Sequence, residues 1–182
     1  MSVTLENGAS ESRSLQANCS ELIVQRDARG YPALASASCW VAAPPTVVWP
    51  VVSNVEGYAA LVPMLHAVRV DGVLATVQLR VGFGLFGSTF AFVARIEKSS
   101  TQTVDLAYVS GEPAGFRLRF SLSAGAAPET TRLQVDLGFD PDSLGWLASL
   151  FSKRHPELRY GIVPGCALAL LESVRLRAEA TR

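Results

Sequence analysis

Charge of one sign, histidine, lysine and paired cysteine are all scarce in this chain, and each scarcity removes a class of function. Sixteen basic side chains balance sixteen acidic ones over 182 residues, so the formal charge is zero. A chain without net charge raises no long-range field to gather nucleic acid or an anionic membrane, and polyanion partners are excluded on that ground. Lys98 and Lys153 are the only lysines, the other basic residues being arginine. With abundant Ala, Gly and Val, this points to a bacterial genome of high GC content. Cys19, Cys39 and Cys166 form an odd, scattered set, which fits reduced thiols and neither a disulfide framework nor a zinc site. The two histidines, His66 and His155, have no carboxylates at ligand spacing, so no metal centre is expected, and nothing in the sequence calls for a cofactor.

No apolar run approaches the roughly 18 to 20 residues needed to cross a bilayer, although apolar residues make up 49% of the chain. The start, Met1 to Glu6, has neither a basic cluster nor an apolar stretch, so the expectation is a cytoplasmic protein with no transmembrane segment. Residues 1–20 are rich in Ser, Glu, Asn and Gly and carry few large apolar side chains to offset the entropy of ordering. They are read as a flexible tail before a single domain over 21–182. The sequence says nothing of oligomeric state.

What the chain does have is long alternation of period two. After a strand at Leu22 to Val24, a turn at Asp27 to Gly30 and a second strand from Tyr31 to Val41, Pro44-Pro45 stops the extended chain. Short helices follow over about 46–52 and 55–61, the latter ending before Pro63. From Leu65 onward, apolar residues recur at every second position through Val77, Phe92, Leu106, Phe120 and Val135, while Arg95, Asp105, Arg119 and Asp136 fall on the opposite face. Such one-sided strands predict an antiparallel sheet with one dry and one wet face. A helical segment is expected from about Leu144, broken at Pro156, and then a longer helix to about Ala180 with Val163, Ala167, Leu170 and Val174 on one stripe. The order defines an α+β domain in which helix covers one sheet face.

Val41-Ala42-Ala43-Pro44-Pro45, then Val48-Trp49, Tyr58 and Pro63, together resemble the opening of the polyketide cyclase/dehydrase and START-like lipid-transfer superfamily. That resemblance implies a helix-grip fold: a curved sheet of about six to seven strands wrapped around a long C-terminal helix. It also implies a cavity between sheet and helix, used by relatives for lipids, quinones and polyketides. The segment 144–160 is longer and more broken than in compact members, and an extra lid is one reading of it.

Trp49, Tyr58, Met64, Phe83, Phe90, Phe92, Tyr108, Phe116 and Phe120 form an aromatic-rich inner set, and Cys166 and Leu170 face it from the long helix. Plain core packing explains any one of them; together they suit the wall of an apolar pocket with few polar groups. His66 stands in phase with Val68 and Val70 and would point inward, so His66 and Tyr108 are the candidate polar groups. A histidine at a strand start with a local hydrogen bond is the plainer reading of the first. Gly82-Phe83-Gly84-Leu85-Phe86-Gly87 matches a phosphate-loop spacing, but strand-like Ser88 to Val93 follows where a helix is required, so a bending hairpin is expected. Asp140 and Asp142 read as turn and capping residues, and Arg117 and Arg119 as a solvated sheet surface. The leading expectation is a carrier or sensor binding a small hydrophobic molecule. The alternatives are a polyketide cyclase/aromatase or dehydratase using His66 or Tyr108, and a protein-interaction module with a filled core.

Since residues 1–20 bring little apolar surface, deleting them is expected to leave the thermal midpoint within a few degrees of the full chain. A large fall in calorimetric midpoint would mean that the segment is docked on the domain.

Overall fold

The computed structural model describes residues 21–62, 65–83, 86–99, 102–125, 127–143, 154–155 and 157–181, with backbone only at 81–83, 86–88 and 99. The elements are β1 (Glu21–Arg26), β2 (Pro32–Val41), α1 (Pro45–Ser53), a 3-10 turn (Val55–Gly57), α2 (Tyr58–Leu61) and β3 (Leu65–Asp71). There follow β4 (Leu74–Phe83), β5 (Phe86–Ser99), β6 (Thr103–Gly111), β7 (Arg117–Ala124), β8 (Thr131–Gly138), a 3-10 turn (Pro141–Ser143) and α3 (Leu158–Ala180). All eight strands form one antiparallel sheet in the order β1-β2-β8-β7-β6-β5-β4-β3. The sheet therefore has eight strands, against the six to seven that the resemblance implies, and β1 is its outer edge.

The period-two pattern sorts cleanly onto faces. Cross-strand neighbours Leu137 and Ala35, Val135 and Ala37, Phe120 and Val135, and Leu118 and Leu137 are all buried on the inner face. On the other face Arg119 pairs with Asp105 and Arg132 with Glu21, both exposed ion pairs of small energetic weight. The stripe Val163, Ala167, Leu170 and Val174 is buried as expected, joined by Leu171 and Ala178. Pro164 lies inside α3, so the helix begins ahead of Pro164-Gly165.

The main contacts of α3 are with β2 and β8, and it also packs on α1. Small side chains permit that seat: Ala35, Ala37 and Cys39 on β2 and Ala167 and Ala178 on α3 are all 4% exposed or less. The buried aromatic residues of the sheet, among the described side chains, are on β5 and β7 instead: Phe90, Phe92 and Phe120. At the corner after β2, Thr131 Oγ1 donates to the carbonyl of Ala43 at 2.7 Å, and the amide of Ala42 donates to Glu179 Oε1 at 3.0 Å. Arg175 clasps the same Glu179 at 2.7 Å, so β8, α3 and the Ala-Pro-Pro step close on one another. Pro44 is extended, with φ of −69° and ψ of 158°, and Pro45 occupies the first helical position where no amide hydrogen is needed.

Overfilling this seat should be costly. Ala37→Leu is expected to lower unfolding stability by about 1–3 kcal/mol, whereas Ala107→Leu on the exposed face of β6 should change it little. Equal denaturant midpoints for the two variants would show that α3 does not sit tightly on β2.

Candidate apolar ligand site

Away from α3, the inner face changes character. Phe92 lies opposite Val77, Phe90 opposite Leu79 and Ala94 opposite Ala75, which places two phenylalanines of β5 beside aliphatic partners of β4. Phe116, just before β7, tilts against Phe92 with ring centroids 4.3 Å apart. Tyr58 from α2 meets Phe120 edge-on at 5.8 Å. Phe92, Phe120 and Tyr58 belong to the contiguous buried core, and Trp49, Phe116 and Cys166 pack partly against it. Phe90 differs: it is 9% exposed, yet among the described residues it does not join that contiguous cluster. Leu170 of α3 is buried to the same degree. Met64 lies outside the described residues, as do 144–153 of the segment read as a lid, and Phe83 is described by its backbone alone.

The polar groups of this region are occupied or turned away. The Tyr58 hydroxyl donates to the carbonyl of Val52, and burial pushes the phenol well above its ordinary value. Tyr108 is 36% exposed at the margin, and its hydroxyl donates to the carbonyl of Gly111 at 2.9 Å. His66 is exposed, which corrects the inward orientation expected for it. The cause is a register shift in β3: Leu65 faces Leu79 and Val68 faces Val77, so an extra residue at 66 breaks the alternation and rotates the imidazole out. His155, likewise exposed, sits 3.1 Å from the Glu157 carboxylate. Among the described residues no group of three or more potential ligands is placed to hold a metal ion. The glycine-rich stretch lies in a hairpin, Gly82 facing Gly87 and Phe83 facing Phe86, so no helix follows it to receive a phosphate.

A concavity of about 310 Å³ opens at the end of the sheet where the β1–β2 turn, the β6–β7 loop and the residues after β8 meet. Arg29, Arg117, Phe139 and Asp140 line it. Sequence patterning does not assemble this group, because its members come from separate stretches and each looks like an ordinary turn or surface residue.

An eight-stranded antiparallel sheet packed on one long C-terminal helix, with two short helices after the second strand, defines a helix-grip domain. The model of the family described as polyketide cyclase/dehydrase and lipid transport matches residues 41–155, and the chain belongs to that family. Among solved structures it resembles the Zhui aromatase/cyclase from a Streptomyces species, at 20% identity and TM-score 0.59 over 82% of this chain and 95% of that one. It also resembles a START superfamily protein from Mycobacterium smegmatis, at 18% identity and TM-score 0.63 over 82% and 99%. A protein from Thermus thermophilus aligns at 16% identity and TM-score 0.63 over 81% and 98%. No curated protein matches the chain by sequence. At these identities the structures establish the shared fold. No helix of the described residues is long and apolar enough to cross a membrane.

Two consequences follow for stability. Tyr58→Phe strands the Val52 carbonyl and should cost about 1–3 kcal/mol in denaturant unfolding; an unchanged midpoint would mean that the hydroxyl is not bound. Burial also raises the Cys39 thiol from 9.0 to about 11. The unfolded chain then loses its proton first, so this contribution is complete below pH 9.0 and declines as the pH climbs toward 11. Unfolding free energy measured across that window should fall in the wild type and fall less steeply in Cys39→Ala.

Proposed function

We propose that the protein binds a small hydrophobic molecule between the aromatic part of the sheet and the helices, as a carrier or sensor. The observation that carries this reading is the character of the inner face from β4 to β7. Its described side chains are aliphatic or aromatic, and the one phenol buried there, on Tyr58, is already bonded to Val52. A face of that kind offers a ligand contact area and little directed chemistry, so affinity would come from burial at about 25 cal/mol per Å² of apolar surface. Phe90, buried but apart from the contiguous core among the described residues, is the residue best suited to touch a guest more than its neighbours.

The cyclase alternative has support from family membership. It draws less from the residues named for it, since the His66 imidazole is exposed and the Tyr108 hydroxyl is committed to Gly111. The interaction-module alternative predicts a solid interior.

Truncation separates these readings. Phe120, fully buried against Tyr58, should cost about 3–5 kcal/mol when cut to alanine, as core phenylalanines do. Phe90→Ala should cost clearly less and should shift the affinity for an apolar fluorescent probe such as an anilinonaphthalene sulfonate, while His66→Ala and Tyr108→Phe leave probe binding unchanged. If Phe90→Ala destabilises as much as Phe120→Ala and the wild type takes up no probe, the interior is filled and the carrier reading fails.

A further inference from the structure

We propose that the cleft at the end of the sheet is a second binding site, separate from the apolar interior, for a small zwitterion: a carboxylate and an ammonium group on a compact apolar body, as in a free amino acid. The cleft's volume of about 310 Å³ is at the lower end of the roughly 300–1,000 Å³ of small-molecule sites, which suits a guest of this size and not a lipid.

The argument rests on which of its charges are already answered. Arg29 is: its Nε donates to Asp27 at 2.9 Å and its Nη1 to Asp142 at 3.3 Å. Asp27 is as well, accepting the backbone amides of Arg29 and Tyr31 at 2.9 Å each, and these bonds hold its carboxyl below the ordinary range. Arg117 is not. It makes no hydrogen bond or ion pair among the described residues, whereas Arg119, two positions along the same strand face, is taken by Asp105. Asp140 is half answered: Oδ1 accepts the amide of Asp142 at 3.0 Å, and Oδ2 accepts nothing among the described residues. Its field reaches Arg29 but leaves that oxygen open.

An unanswered guanidinium and an unanswered carboxylate oxygen thus line one cleft without pairing to each other. Arg117 also lies close over its strand partner. It stands opposite Gly138 in the β7–β8 pair, and a Cβ built on Gly138 would lie 2.7 Å from the Arg117 Nε. The side chain lies across a buried glycine with no room for any larger residue beneath it. A guest carboxylate can take the fork of Arg117, its ammonium group can donate to Asp140 Oδ2, and its apolar body can rest on Phe139 and Pro141. Because both protein charges are solvent-facing, the affinity should be modest.

The test is a titration of the ¹⁵N-labelled full chain with L-leucine, using isovalerate and isoamylamine as guests that each keep one of its charges. Amide shifts are expected at Ala33, Gly115 and Tyr31 and not at Phe92 or Phe116. Each single-charge guest, and each of the variants Arg117→Gln and Asp140→Asn, should bind at least about tenfold more weakly. Arg119→Gln should bind as the wild type does. Asparagine keeps the acceptor for Asp142, and should either variant unfold, the guest comparison on the wild-type chain decides alone. The proposal is overturned if leucine produces no shifts at its solubility limit, if isovalerate binds as well as leucine, or if the shifts fall on inner-face residues. The absence of shifts, or equal binding of isovalerate, would leave uptake of an apolar probe untouched, so this site and the interior stand or fall separately.

Discussion

The structure turns on covering one continuous apolar sheet face with a single long helix. Eight strands present a dry inner surface wider than one helix can cover, and α3 settles on β8 and on β2, whose buried side chains include Ala35 and Ala37. Sealing one side this way leaves the β4–β6 side to other elements, and that is where the phenylalanines of β5 stand. Small residues of β2 under the helix and the phenylalanines of β5 away from it are two parts of one packing solution. The proposed ligand space is then a product of how the face is divided, and needs no dedicated catalytic residues.

The corner following β2 keeps this division in register. Thr131 from β8 and Glu179 from α3 both bind the Ala42-Ala43 step, and Arg175 ties Glu179 in place. A displacement there would move helix and sheet together. The motif that carries the family resemblance is thus also the mechanical joint between the two layers, which gives a physical reason for its residue types. Prolines end the strand and start α1 without an unbonded amide, and alanines leave the space across which Thr131 of β8 and Glu179 of α3 reach the backbone.

Much of this is legible in the chain. Alternation places Phe92, Leu106, Phe120 and Val135 on one face, the stripe on α3 reads residue by residue, and the strand after the glycine-rich hairpin separates it from a phosphate loop. Two things are not. Period-two reasoning puts His66 on the wrong face because it assumes an unbroken ladder, and one extra residue in β3 reverses every inference on its far side. The end cleft is invisible because it depends on three-dimensional meeting of turns: Arg117 and Asp140 lie 23 positions apart, and nothing local marks either as unpaired. Tyr108 is in phase with Leu106, but the phase of a strand does not reveal where cover ends, and its ring stands at that margin.

The central claim is that the interior takes a guest. Native mass spectrometry of the chain, purified from the organism that makes it under conditions that preserve weak complexes, tests this most directly. The account predicts a second mass series, offset by one small molecule per chain, which solvent extraction recovers as an apolar compound and which Phe90→Ala retains less well. A bare chain mass in every preparation, together with no uptake of apolar probes by the wild type, would contradict it.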